Sequence, residues 1–219
     1  MEISKITSKE SMNGNLAEIL GLLCAEGNYR EFYANYKEFD KRRNKSYLRK
    51  NKRERILEFS NKNKKLINRF LDLLKIEFSY SPKIYKAKKE VLRICITKWD
   101  IIDCILNFTS IGCDKWFVPK NILNGDAEIK KCFIRGYFMG DGSIGKIGKN
   151  RLRLRLTSIN YQGISNISKM LISIGIRNNL NGPYFRKNQR AYYEILIRSV
   201  SNQRFINEIL RLDNAGVWL

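Results

Sequence analysis

Apolar and polar positions alternate along this chain with two periods, and the switches between them mark out its elements. Helical spacing covers about Asn15 to Ala25 and is stopped by Gly27. A strand pattern follows from Asn28 to about Tyr36, then a basic loop, then a strand Arg55–Ser60. Leu66, Ile67, Phe70, Leu71, Leu73 and Leu74 fall three to four apart and predict a helix over Asn61–Lys75. Strands Glu77–Lys88, broken by Ser81-Pro82, and Val91–Thr97 come next, then a helix Lys98–Ser110 with an apolar stripe of Ile101, Ile102, Ile105, Leu106 and Phe108. Ile111–Gly125, with its glycines and Pro119, reads as a linker. Asp126 can then cap a helix running to Met139. Strands Ser143–Lys149 and Arg151–Ser158, a helix Asn160–Ser173, strands Arg177–Lys187 and Ala191–Arg198, and a helix Ser199–Leu212 complete the chain.

The second series repeats the first. Each half reads α-β-β-α-β-β-α, so the fold class is α+β with two pseudo-symmetric halves. The expected divisions are an N-terminal segment 1–14, a first half 15–110, a linker 111–125 and a second half 126–219. Residues agree as well as order: Leu-Leu-Lys-Ile-Glu-Phe at 73–78 matches Leu-Ile-Ser-Ile-Gly-Ile at 171–176. The main difference is the first hairpin, where the first half carries about 17 extra residues, largely Lys and Arg. A duplication of this kind predicts a pseudo-two-fold molecule, matched to a near-palindromic duplex.

Charge narrows the partners. The 219 residues hold 42 Lys+Arg against 21 Asp+Glu and no His, a net charge of +21. The excess is shared, +10 on residues 1–110 and +11 on 111–219. A surplus this large points to an anionic partner. The absence of His excludes imidazole-based catalysis and imidazole metal sites. No apolar run reaches the ~20 residues that span a bilayer, and Met1–Asn15 carries no apolar signal core, so an intracellular setting is expected, a prokaryotic cytoplasm or an organelle matrix. Five Cys (24, 95, 104, 113, 132) without a CxxC pair read as reduced thiols. Within 37–55 there are 10 basic and 3 acidic residues. Lys149, Arg151, Arg153 and Arg155 alternate with Leu152, Leu154 and Leu156, which places a row of cations on one strand face. Their spacing, about 6.6–6.8 Å, is comparable to that of phosphates along a nucleic-acid strand.

The sharpest signal is a pair of helix ends, Ile-Leu-Gly-Leu-Leu-Cys-Ala-Glu-Gly at 19–27 and Ile-Arg-Gly-Tyr-Phe-Met-Gly-Asp-Gly at 134–142. Gly21 with Ala25, and Gly136 with Gly140, give each helix a face of small residues that lets two helices approach closely. Gly27 and Gly142 suit a left-handed position after each helix. Glu26 and Asp141 are acids at the negative end of a helix dipole, and would repel each other at a shared seam. A divalent cation resolves both conflicts, and oxygen ligands without His favour Mg²⁺.

These motifs, with Val118-Pro-Lys-Asn-Ile-Leu and Phe133-Ile-Arg-Gly ahead of the second, resemble the LAGLIDADG homing endonucleases in their single-chain, two-motif form, over roughly residues 15–212. The resemblance implies saddle-shaped antiparallel sheets in the DNA major groove and cutting of both strands, dependent on Mg²⁺ (or Mn²⁺), with short 3′ overhangs. It implies Glu26 and Asp141 as metal-binding catalytic acids, with the carbonyls of Ala25 and Gly140 nearby. It also implies polar or basic groups at the strand ends: Asn61 and Lys62 in the first half, Ser158 in the second. There the basic residue is missing, and a linker residue such as Lys115 or Lys120 is the expected substitute. The resemblance implies DNA contacts from Arg30, Lys41, Arg42, Arg43, Lys45, Arg49, Lys52, Arg53, Lys83, Lys86, Lys88, Lys149, Arg151, Arg153, Arg155, Arg186, Lys187 and Arg190. The expected partner is double-stranded DNA, bound by a monomer, with no membrane partner; the chain's own intron RNA stays open as a second one. The alternatives are an RNA maturase on the same scaffold and a DNA-binding regulator that does not cut.

Overall fold

The computed structural model describes residues 12–147 and 151–211. Four helices begin where a short polar side chain takes up an orphan backbone N–H. Asn13 Oδ1 accepts from Leu16 N at 2.9 Å, Asn63 Oδ1 from Lys65 N at 3.0 Å, Asp126 Oδ1 from Ile129 N at 2.8 Å and Asn160 Oδ1 from Gly163 N at 3.0 Å. The elements they open are α1 (Gly14–Glu26), α2 (Lys64–Phe78), α5 (Ala127–Asp141) and α6 (Tyr161–Ser173). In the first half the chain runs α1, β1 (Gly27–Asp40), β2 (Lys45–Asn61), α2, β3 (Ile84–Lys86), β4 (Leu92–Ile96) and α3 (Trp99–Phe108). A short α4 (Lys120–Leu123) interrupts the segment read as linker. Then come α5, β5 (Gly142–Ile147), β6 (Arg151–Ser158), α6, β7 (Asn178–Tyr184), β8 (Tyr192–Ile197) and α7 (Ser199–Arg204). The last helix continues as a π-helical turn, Phe205–Leu210, rather than as α-helix to residue 212.

The strands form two antiparallel four-stranded sheets of the same order, β1-β2-β4-β3 and β5-β6-β8-β7. Leu57, Phe59, Ile94 and Ile96 of one sheet and Leu154, Leu156, Ile195 and Ile197 of the other are buried against the helices. Alternation sends their neighbours to the opposite, open face. Repeated order, antiparallel sheets and helices on one face are the α+β fold that the periodicity predicts.

The structure differs from the sequence reading in three places. The basic segment is not a loop. It is the distal part of a ribbon in which β1 and β2 pair from Gly27↔Phe59 out to Asp40↔Lys45, with an irregularity near Asn35. Acids across the hairpin make this strand tenable: Arg53 Nε lies 2.7 Å from Glu31 and Arg49 Nε 2.7 Å from Glu38. Such cross-strand pairs contribute about 0.2–1 kcal/mol each, enough to offset repulsion among neighbours. Second, most of the strand expected over 77–88 is absent. Residues 77–78 extend α2, and only Ile84–Lys86 pair with β4. Third, Gly27 and Gly142 are not left-handed: their φ values are −80° and −85°, and each begins a strand. Glycine is needed because the chain turns straight from helix to strand. A Cβ would strike the carbonyls of Leu23 and Phe138 respectively. Lys149 lies outside the described residues.

The two halves meet along α1 and α5. A Cβ on Gly21 would overlap the Phe133 carbonyl, and one on Gly136 the Glu18 carbonyl, so the two backbones touch. Glu18, buried in this seam, accepts two hydrogen bonds from Arg69 of α2, at 2.7 and 2.9 Å, and lies 3.7 Å from Arg135 of α5. Trp116 packs beneath Gly163, and its carbonyl accepts from Asn160 Nδ2, so the segment after α3 is fastened to the second half. None of the described helices is long and apolar enough to cross a membrane.

Candidate metal centre and nucleic-acid interface

The contact between α1 and α5 runs to their C-terminal ends. A Cβ added to Gly140 would lie 2.5 Å from Ala25 Cβ and 3.0 Å from Glu26 Cγ. The last residues of the two helices, Glu26 and Asp141, are therefore held at one seam. Asn61, the final residue of β2, donates from Nδ2 to Glu26 Oε1 at 2.8 Å. Tyr137, fully buried one turn before Asp141, donates its hydroxyl to the Thr157 carbonyl at 3.0 Å and faces both Ser158 and Asp141.

The acids are electrostatically uncomfortable. Burial lifts the Asp141 carboxyl to about 7, the Glu26 charge adds to this, and the Tyr137 hydroxyl opposes it. Glu26 is raised too, by burial, against the Asn61 hydrogen bond. Nearby carbonyls of the last helical turns, including those of Ala25 and Gly140, lack a following turn to donate to them. Two carboxylates and backbone oxygens make an all-oxygen donor set, suited to a hard divalent cation. Among the described residues no group of three or more His, Cys, Asp or Glu gathers as a metal cluster, so the centre is a carboxylate pair.

An open cleft of about 610 Å³ adjoins Asp141, lined by Cys24, Ala25, Cys113, Thr157, Ser158, Ile159, Arg186, Gln189, Arg190 and Tyr192. Here the structure corrects the sequence expectation. Lys115 sits on an exposed turn and Lys120 opens α4; neither lines the cleft. The cations beside Asp141 come instead from the β7–β8 hairpin. Arg190 Nη1 lies 2.6 Å from Asp114, and the Arg186 guanidinium rests over the Tyr192 ring at 4.7 Å. Nothing in the sequence around Arg186, inside the expected strand Arg177–Lys187, or Arg190, just after it, hints that this tip folds back over the second acid. Under the DNA cleavage that the resemblance implies, replacing Arg190 with Ala is expected to slow cutting of one DNA strand by about tenfold or more and leave the other strand's rate nearly unchanged. Accumulation of a singly nicked duplex measures this.

Of the first-half residues, Lys62 is exposed beside Asn61. Lys41, Arg42, Arg43 and Lys45 are exposed at the ribbon tip, and Lys83, Lys86 and Lys88 around β3. Arg30, Arg49 and Lys52 share the open face. Arg53 does not: it alternates with Leu57 on the helix side, where it lies 5.7 Å from the Trp99 ring. In the second half, Arg153 and Arg155 are on the open face and Lys187 is exposed; Arg151 forms the start of β6. The arginine row on β6 is not free of acids, because Glu194 of β8 reaches both Arg153 and Arg155 at 3.3 Å. Glu194, Glu58 and Arg93 carry no local sequence signal; only strand register brings them in.

Residues 128–210 match the family model of the LAGLIDADG-like domain, and the whole chain superposes on solved structures with that fold. The second half thus matches a LAGLIDADG-like domain, and the chain as a whole shares the fold of the solved structures. The homing endonuclease I-DmoI matches in the form of mesophilic variants at TM-score 0.63 and 20% identity, over 93% of this chain and 99% of that one. The same protein in complex with DNA and Mn matches at TM-score 0.59 and 21% identity, over 91% and 98%. The N-terminal LAGLIDADG domain of DUF199/WhiA matches at TM-score 0.56 and 15% identity, over 96% and 89%. At these identities the likeness is one of fold. By sequence, the chain is 27% identical over 220 residues to the replication factor C small subunit of Methanocaldococcus jannaschii, covering 95% of this chain and 10% of that protein. It spans 10–17% of the length of the curated relatives it matches.

Proposed function

We propose that this LAGLIDADG protein is a site-specific DNA endonuclease that acts as a monomer and cuts both strands of a long, near-palindromic duplex with a divalent cation. The carrying observation is the pair Glu26–Asp141, two desolvated carboxylates at the abutting ends of α1 and α5. A regulator that only bound DNA would gain nothing from two buried, mutually repelling acids. The fold likeness to I-DmoI, which has been solved with DNA and Mn, supports the same reading.

In this mechanism Glu26, Asp141 and the carbonyls of Ala25 and Gly140 would hold Mg²⁺ or Mn²⁺. When bound, the cation supplies Lewis-acid activation of a phosphate oxygen and of water. The protein's own groups do the rest. Asn61 fixes the orientation of Glu26, and Tyr137 sets that of Asp141. Arg186 and Arg190 offer charge to the phosphate as it gains negative charge, on the second acid's side. Lys62 serves this purpose on the first. The cations of the two sheets and of the β1–β2 ribbon grip the backbone of the duplex and set the register of the scissile bonds.

The test is cleavage selection from a randomised duplex library with Mg²⁺, with a parallel arm in excess EDTA. A single enriched site cut on both strands, and no cutting in EDTA, is the expected result. Binding of an enriched site without cutting in Mg²⁺ or Mn²⁺ overturns the nuclease reading and leaves a DNA-binding protein.

A further inference from the structure

Aligning the halves by strand pairing exposes a relation that the sequence conceals. Gly27 faces Phe59 across the first hairpin and Gly142 faces Leu156, so these residues are equivalent. The same registers carry Glu58 onto Arg155, and Arg93 onto Glu194. This is one ion pair with its charges exchanged between strands. Arg93 Nη1 lies 3.3 Å from Glu58 in the first half, and Arg155 Nη1 3.3 Å from Glu194 in the second. A third member follows suit. Arg30 faces Ile56 in the first half, whereas Gly145 faces Arg153 in the second, so the extra arginine again comes from opposite strands. Arg30 Nη2 is 2.7 Å from Glu58, and Arg153 Nη2 3.3 Å from Glu194. Each sheet therefore carries Arg–Glu–Arg at one equivalent place, built from different residues.

All six residues alternate with core positions and so lie on the open face. Both glutamate side chains are only 8% exposed, while the four arginines are 38–51% exposed. One arginine would neutralise each buried carboxylate. The second leaves every triad a net charge of +1 and leaves guanidinium donors unused. Arg93 Nε and Arg153 Nε are buried with no acceptor in the protein. An arginine pinned by a carboxylate has already lost the rotamer freedom that a free one loses on binding. Its planar fork fits O6 and N7 of guanine, a contact a flexible surface cation makes less selectively.

We infer that Glu58 and Glu194 are positioning residues for sequence reading: each presets two arginines, one triad per half-site, to recognise a guanine in the major groove. This rests on the DNA-binding reading above. The test compares the full-length protein with Glu58→Gln and Glu194→Gln in binding selections on a randomised duplex library. Each variant loses a negative charge, so affinity for arbitrary duplex rises a few-fold. Guanine preference at one position of its own half-site falls roughly tenfold, and the other half-site is unchanged. Should a Gln variant not fold, Arg30→Lys and Arg153→Lys keep the charge, lose the fork, and are expected to lose the same preference. Unaltered base preference in the folded variants, with only overall affinity changed, means the arginines meet phosphates and overturns the inference. A wild-type protein that binds no duplex overturns the DNA-binding reading itself, and is told apart by that absence of affinity.

Discussion

Asp141→Asn is expected to abolish double-strand cutting and, in the same protein, to raise stability. The loss of rate is about 10²–10³-fold or more, because the substitution removes a negative ligand that would hold the divalent cation at the reacting phosphate. Glu26→Gln is expected to do the same, with duplex affinity retained in both. The stability gain follows from the sign of the shift. The Asp141 carboxyl titrates near 7 in the folded chain against 3.8 as its ordinary value. Between those values the folded state holds more protons than the unfolded one, so stability falls as pH rises and the loss is complete above about 7. Without divalent cation at pH 8, the Asn variant is expected to be more stable by on the order of 2–4 kcal/mol, and the difference to vanish near pH 4. Mg²⁺ is expected to stabilise the wild type and not the variant. Thermal denaturation at the two pH values, with and without Mg²⁺, checks all three. A pH-independent difference would mean that the carboxylate's charge is not the cause.

The second large effect is steric. Gly136→Leu places a side chain where the Glu18 carbonyl already sits, on a helix whose backbone touches its partner. Overpacking a core generally costs about 1–3 kcal/mol, and here the obstacle is main chain, which cannot rotate away. Separation of α1 and α5 would also strip Glu18 of Arg135 and pull apart Glu26 and Asp141. A loss of about 3 kcal/mol or more in urea denaturation is expected, with cutting lost even where the fold survives. Leu at Gly145, whose added Cβ would meet only the Arg153 carbonyl at 3.9 Å, is the control and should leave stability within about 1 kcal/mol.

Much of this was legible in the chain itself. Helix positions followed from apolar residues three to four apart, and Asn13, Asn63, Asp126 and Asn160 are short-range caps whose chemistry is local. The two motifs announced their own packing, since Gly21 and Gly136 have no use for a bare face unless another backbone occupies it. The distal ribbon was misread because ten cations within 37–55 look like solvated loop. What makes them a strand is acids lying across the hairpin, such as Glu31 diagonal to Arg53 and Glu38 near Arg49. Gly27 and Gly142 were given the right need for glycine but the wrong conformation, because crowding by a carbonyl and a positive φ both select the same residue. Sequence proximity points to a linker residue, Lys115 or Lys120, for the basic group beside Asp141. It comes instead from a hairpin tip 45–49 residues beyond Asp141, at Arg186 and Arg190.

The α+β class, the duplication, the pair of acids and the scale of the positive charge can all be read from the chain alone. Each of these depends on periodicity, on local chemistry or on simple counting. Only the tertiary structure decided which charges cooperate. Strand register carries Arg30 and Arg93 to Glu58, and Arg153 and Arg155 to Glu194, across gaps of 28 to 41 residues. The contact of α1 with α5 likewise makes one site of Glu26 and Asp141. Period two tells which face a strand residue takes, but not which residue of another strand lies beside it. That pairing is set by the packing of Leu57, Phe59, Leu154 and Leu156 on the core, where a slip of one residue would turn every arginine inward.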